Sequence, residues 1–206
     1  MIGVIDYGMG NLGSVVNALR YLEEDVRLIS KHEELDHCHS VILPGVGAFG
    51  DCMTNLNERG FIDLIQQWID SGKPLMGICL GLQILFSGSE ESDGVEGLSI
   101  FDGTVKKFEL SSDRKVPQIG WNRMQITNSE CPVFEGIENH SYFYLVHSYY
   151  VAPNNQNLIA GKTSYGVDYC SCVWKDNVFA TQFHPEKSQD VGLKMLKNFA
   201  TWSATF

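Results

Sequence analysis

Three side chains able to share nucleophilic chemistry stand out in this chain: Cys79 and, more than a hundred residues on, the close pair His184 and Glu186. Cys79 is the centre of "GICLG", with Gly77 two residues before it and Gly81 two after. G-x-C-x-G has the form of a nucleophile elbow, a sharp strand-to-helix turn that holds the nucleophile in a strained backbone conformation. Around such a turn the backbone approaches so closely that side chains two positions away would clash. The thiol would stand at a helix N-terminus, where unpaired N–H groups favour negative charge. The N–H of Leu80 becomes a ready oxyanion donor. The same pentapeptide also suits a buried structural cysteine packed between glycines, so the catalytic reading requires a base.

"FHPEKS" at 183–188 supplies one. Pro185 drives His184 into an extended conformation, and in extended chain residues i and i+2 point the same way. The Glu186 carboxylate can then reach the imidazole, orient it and stabilise its cation, the third-group role of a triad. "PGVGAFG" at 44–50 is the remaining piece. It lies at the carboxyl end of an expected strand, the edge at which open α/β sheets bind ligands. Gly45 and Gly47 let its backbone turn amides inward, as an oxyanion hole needs, although a plain strand-to-helix turn would look the same.

The elements around these residues follow from apolar spacing. Strands are expected at 2–6, 26–30, 40–50 and 74–78, with helical spacing at 14–24, around 55–72 with a break at Gly60, and again from Leu80 to Phe86. Such alternation is the signature of a parallel α/β sheet. Beyond about residue 95 the pattern changes to strands joined by turns: 99–110, 120–127, 141–151, 171–176 and 178–184, with a hairpin at Asp176-Asn177 and a closing helix over 188–203. The expectation is one α/β domain spanning 1–206 whose second half adds antiparallel strands.

"GMGNLG" matches G-x-G-x-x-G at Gly8, Gly10 and Gly13, between a strand and a helix. A dinucleotide fingerprint needs an acidic residue about 20 positions on; the second strand ends in Ser30-Lys31, and Glu33 and Glu34 come late. A nucleotide site, a tight turn capped by Asn11 and a loop presenting Asn11 to a partner all remain open.

Bulk properties narrow the class. The 206 residues are 44% apolar and carry a net charge of −10, which argues against a general nucleic-acid binder with its basic face. No apolar run approaches the roughly 20 residues that cross a bilayer. "MIGVIDYGMGN" has neither a basic region nor a cleavage-type segment, so a cytoplasmic protein is expected. The six cysteines show no CxxC spacing and are expected to be reduced. Cys170 and Cys172 are expected on one face of a strand as small buried side chains. "KHEELDHCH" at 31–39 has a zinc-like composition but no standard ligand spacing, and is expected to be a solvated loop.

"GICLGLQILF" and "FHPEKS" together resemble the class I, triad-type glutamine amidotransferases. With "DYGMGN", "PGVGAFG", "GWN" and "YLVHSY" in order, the chain is similar along essentially its whole length to the family of glutaminase subunits of imidazole glycerol phosphate synthase. The resemblance implies a flavodoxin-like open sheet, mostly parallel, with helices on both faces. It implies that Cys79 attacks the side-chain amide of glutamine, that His184 held by Glu186 handles the proton, and that a glutamyl thioester is hydrolysed by water. Leu80 and the Val46-Gly47 peptide would form the oxyanion hole, in a loop that needs reorienting in this family. Gly45, Gly47, Gln83, His147, Ser148 and Tyr149 match glutamine-binding positions.

Ammonia would pass to a TIM-barrel cyclase partner in a heterodimer, which makes imidazole glycerol phosphate and an aminoimidazole carboxamide ribotide in histidine biosynthesis. Asn11, Trp121, Tyr144 and Lys187 match that interface. No cofactor, metal, nucleic acid or membrane is implied. One departure is Gln118 in "VPQIGWN", where many members have His; it leaves room for a paralogue serving a cyclase-like partner in surface-sugar synthesis. Cysteine peptidases of the same fold share the elbow, without the expectation of "FHPEKS". A binding subunit with a decayed site is opposed by the intact Cys79, His184 and Glu186.

Overall fold

Strands whose apolar residues run on without alternation need cover on both faces, and four of them form the middle of the sheet. The computed structural model describes residues 1–109 and 115–206. In it β1 (Ile2–Ile5), β3 (Ser40–Gly45), β4 (Leu75–Cys79) and β12 (Val178–Thr181) are buried at every position. With the edge strand β2 (Val26–Ile29) they run parallel in the order β2-β1-β3-β4-β12, the flavodoxin-like arrangement.

Alternate residues of these strands feed two cores. Ile2, Val4, Ile42, Met76 and Ile78 pack with Val15 and Leu19 of α1 (Leu12–Tyr21) and Leu196 and Phe199 of α5 (Gln189–Ser203). Ile5, Val41, Leu43 and Leu75 pack with Phe49 and Leu56 of α2 (Phe49–Glu58) and Phe61 and Trp68 of α3 (Phe61–Asp70). Gly60, in the left-handed conformation at φ 69°, is the break between α2 and α3.

Beyond β12 the sheet continues antiparallel through β11 (Asp168–Lys175), β10 (Ile159–Ser164), β7 (Gln118–Ile126) and β8 (Tyr142–His147). A branch of β5 (Phe86–Ser89), β6 (Phe101–Lys107) and β9 (Tyr149–Pro153) joins it at β11. The β11–β12 hairpin turns at Asp176, with φ 51°, followed by Asn177.

Several sequence expectations change here. The helix expected from Leu80 to Phe86 is a single turn, α4 (Leu80–Gln83), because residues further on capture its carbonyls: Leu98 N–H donates to Ile84 O at 2.7 Å and Phe101 N–H to Leu85 O at 3.0 Å. Phe86 therefore begins a strand. The run 141–151 is two strands, since the chain leaves β7 at Ser148 and pairs with β6. Strands β5 and β10 were not anticipated. The end of the strand expected over 99–110, Leu110, lies outside the described residues. Cys170 and Cys172 do not share a face: the register slips between Gly161 and Lys162, leaving Ser171 unpaired and sending the two thiols into different cores. Residues 32–37 of the expected loop form a 3-10 turn. Among the described residues no helix is long and apolar enough to cross a membrane.

Candidate active site

Sheet register brings the distant motifs to one edge. Gly45, the last residue of β3, pairs with Cys79, the last of β4. On the other side of β4, Thr181 pairs with Ile78, so His184 lies three residues past the end of β12. The parallel strands thus deliver the loop 45–48, the cysteine and the histidine to their shared carboxyl edge.

Cys79 has φ 56° and ψ −107°, a conformation that costs a non-glycine residue of order 1–3 kcal/mol. Three glycines make that turn possible. A Cβ on Gly81 would lie 1.9 Å from Leu43 O, one on Gly77 2.7 Å from Gly81 O, and one on Gly45 2.8 Å from Leu80 Cβ. The close approach inferred for the elbow is therefore a backbone-to-backbone contact that no side chain can enter.

His184 Nδ1–H donates to Glu186 Oε1 at 2.8 Å, and both side chains are almost completely buried. The 184–188 turn is pinned to β8 by Ser188, whose hydroxyl donates to His184 O at 2.6 Å and accepts from Tyr144 N–H at 3.0 Å. Burial opposes charge on the His184 ring. The Cys79 sulfur and the Glu186 carboxylate outweigh it and raise the pKa to about 10. The ring thus keeps its proton through neutral pH. His184 Nε2 is buried without a hydrogen-bond partner among the described residues. Because α4 is one turn long, the extended helix N-terminus expected beside Cys79 does not form.

A cavity of about 310 Å³ opens over the sulfur. It is lined by Val46, Gly47, Cys79, Leu80, Gln83, Glu91, Pro117, His184 and the run from Val146 to Tyr149. Gly47 has φ 102°, and a Cβ there would meet Met9 Cε at 2.8 Å. Gly45 does not line the cavity. It lies beneath, against Leu80 and the Tyr7 hydroxyl, so its contribution is to let the turn close.

The far wall is fixed by buried amides and rings. Gln83 Nε2 donates to Tyr149 O and to Gln182 Oε1, both at 3.1 Å. Burial pushes the His147 pKa down to about 4, so its ring is neutral. Nδ1–H then donates to Tyr149 O at 2.7 Å, and Nε2 accepts from the Tyr169 hydroxyl at 3.2 Å. Tyr169 has one proton to give, so the Gln118 amide 3.0 Å away must turn its NH2 toward that hydroxyl. Gln118 thus stands behind the wall and does not enter the cavity.

The family model for "Glutamine amidotransferase class-I" matches residues 3–202. The chain belongs to the class I glutamine amidotransferases. A relative from Methanocaldococcus jannaschii named imidazole glycerol phosphate synthase subunit HisH is 50% identical over 97% of this chain and 98% of its own. One of the same name from Syntrophotalea carbinolica is 46% identical over 97% and 98%. Among solved structures, a crystal structure of a glutamine amidotransferase superposes with TM-score 0.77 at 18% identity, covering 98% of both chains. PurLQS from Thermotoga maritima superposes with TM-score 0.76 at 19% identity, covering 98% of this chain and 97% of that one. These two likenesses concern the fold.

Within the amidotransferase site, sequence reading passed over two residues. Gln182, two residues before His184, donates from Nε2 to Cys79 Sγ at 3.8 Å. Glu91 brings a carboxylate to the cavity while accepting from Phe49 N–H at 2.8 Å; its position depends on the unanticipated strand β5, so no local signal marked it. Asn11 occupies the N-cap position of α1 without a side-chain cap bond, and lines a narrow gap with His184 and Glu186. Trp121 meets Tyr144 edge-on at 6.1 Å, and Lys187 Nζ lies 6.0 Å over the Tyr144 ring. These three form one aromatic and basic patch beside the cavity, with Trp121 46% exposed.

Proposed function

We propose that this chain is the glutaminase subunit of an imidazole glycerol phosphate synthase, acting as one amidotransferase domain over 1–206. The observation that carries the reading is a strained, buried cysteine sharing a cavity with a His–Glu pair that holds its proton at neutral pH. The identity of 43–50% to subunits of that name supports the pathway.

The Cys79 sulfur attacks the carboxamide carbon of glutamine, forming a C–S bond and an oxyanion. The N–H of Leu80 and an amide of the Val46-Gly47 peptide receive that charge. His184 gives its proton to the departing nitrogen as the C–N bond breaks, and Glu186 keeps the ring oriented throughout. Water then attacks the thioester carbon and gives its proton to His184, the C–S bond breaks with its electron pair returning to the Cys79 sulfur, and glutamate leaves. Gln83, the wall from His147 to Tyr149 and the Gly47 backbone hold the substrate. The ammonia passes to a TIM-barrel cyclase partner in a heterodimer, which makes imidazole glycerol phosphate and the carboxamide ribotide of histidine biosynthesis. Asn11, Trp121, Tyr144 and Lys187 meet that partner, and the reaction takes place in the cytoplasm.

The test measures ammonia release from glutamine with the cyclase and its ligand present, and labelling by 6-diazo-5-oxo-norleucine. Release together with label on Cys79, both lost in Cys79→Ser, is the expected result. No release under those conditions would sink the reading.

A further inference from the structure

Tyr7 takes no part in the steps above, yet it is completely buried and its hydroxyl reaches the loop on which they depend. That hydroxyl donates to Pro44 O at 2.8 Å. The Cys52 thiol of α2 donates to the same hydroxyl at 3.3 Å. The order of donors is therefore fixed: with the thiol proton directed at the tyrosine oxygen, the single hydroxyl proton is left for Pro44. Burial foremost, with the Cys52 thiol beside it, holds the Tyr7 pKa well above the usual phenol range, so the group remains a donor at any working pH. The hydroxyl also fills the space a Cβ on Gly45 would need, at 2.9 Å.

The far end of the loop is held as well. Phe49 N–H donates to Glu91 at 2.8 Å and Gly50 N–H to Ser92 Oγ at 3.0 Å. Between these anchors stand Val46, Gly47 and Ala48, with Val46 and Gly47 exposed. Gly47 at φ 102° is the residue there whose backbone can turn at low cost.

We infer that Tyr7 is a positioning residue for the oxyanion loop: its hydroxyl anchors the Pro44 carbonyl so that movement is confined to the peptides at Val46 and Gly47. This rests on the oxyanion assignment made above. Without the anchor the loop would sample more orientations, and the productive one would be less populated when charge develops on the substrate oxygen.

The test compares Tyr7→Phe, Cys52→Ala and Gly47→Ala in the complex with the cyclase partner and its ligand. Glutamine turnover is measured alongside alkylation of Cys79 by iodoacetamide, which needs a reactive sulfur but no oxyanion hole. Tyr7→Phe should lower kcat by about tenfold with KM within about twofold, and leave the alkylation rate unchanged. Cys52→Ala, which keeps the Tyr7–Pro44 bond, should have a smaller effect. Turnover and alkylation falling together would mark Tyr7 as merely structural and overturn the inference, as would unchanged turnover. If Gly47→Ala abolishes turnover while Tyr7→Phe leaves it unchanged, the inference fails and the oxyanion assignment stands. If Gly47→Ala also leaves turnover intact, the assignment itself fails.

Discussion

The parallel and antiparallel halves of the sheet differ in how their strands meet water, and the difference matches what each brings to the cavity. β3 and β4 are buried at all positions, between helices on both faces. β6, β7 and β8 alternate buried and exposed residues. The doubly covered half delivers Cys79, the loop 45–48 and His184 from the ends of strands that cannot shift without disturbing two cores at once. The half-covered side supplies the wall from His147 to Tyr149 and carries Ile119, Trp121 and Tyr142 into solvent. Groups needing close geometric tolerance thus stand on the packed half, and groups suited to contact with another molecule stand on the open one.

The elbow and the outlying strand β5 should accordingly differ in their tolerance of a single methyl group. Gly81→Ala would put a Cβ 1.9 Å from Leu43 O, a backbone atom of a central strand. We expect a loss of about 4 kcal/mol or more, at the upper end of single substitutions, and little folded protein. Gly88→Ala, in β5, would place its Cβ 3.5 Å from Val95 O, an ordinary contact, and should lie within about 0.5 kcal/mol of the parent. Equal losses in urea unfolding would break the comparison.

A smaller effect is expected at the proposed triad. Burial opposes the His184 cation, while Cys79 and Glu186 raise its pKa from 6.5 to about 10. Because the folded value is the higher, the stability this group contributes is complete below the unfolded pKa near 6.5 and is lost as pH rises through about 10. Glu186→Gln removes one of the two groups that favour the cation, so the folded pKa falls and the window closes from its alkaline side. The alkaline limb of kcat/KM should move from about pH 10 toward neutrality, with kcat reduced about a hundredfold by the poorly held ring. A limb that stays in place in the variant would show that Glu186 orients the ring without stabilising its charge.

How much of this was legible in the sequence divides along the same line. The parallel half was readable because its elements alternate and its elbow carries glycines at fixed spacing. Gly77 and Gly81 have a steric reason that the spacing of the elbow alone makes plain. The antiparallel half was read less well. Strand β10 is bounded by turn residues at 153–157, but Gly161 and Lys162 interrupt its own apolar pattern, and Ser148, where one apparent strand becomes two, looks like an ordinary polar residue in an alternating run. Glu91 reaches the cavity, and Gln182 the Cys79 sulfur, through tertiary pairing alone. The slip that sends Cys170 and Cys172 to opposite faces depends on how β10 and β11 register. Tyr7 immediately precedes the glycine motif of residues 8–13, and its hydroxyl acquires a role only when Pro44 and Cys52 are brought beside it.

The smallest expected effect tests the open half. Trp121 is 46% exposed and touches Tyr144 edge-on, beside Lys187. A large aromatic ring left half in water gains little from folding of its own chain, but burying the rest of it against a partner could contribute strongly. Trp121→Ala should therefore leave the unfolding midpoint of the isolated chain unchanged and leave Cys79 alkylation as fast as in the parent. Affinity for the cyclase partner, measured by titration calorimetry, should weaken by about 2 kcal/mol, roughly thirtyfold. A lowered midpoint with unchanged affinity would make Trp121 part of this chain's own packing, and the division between a packed catalytic half and an open contact half would then not extend to β7.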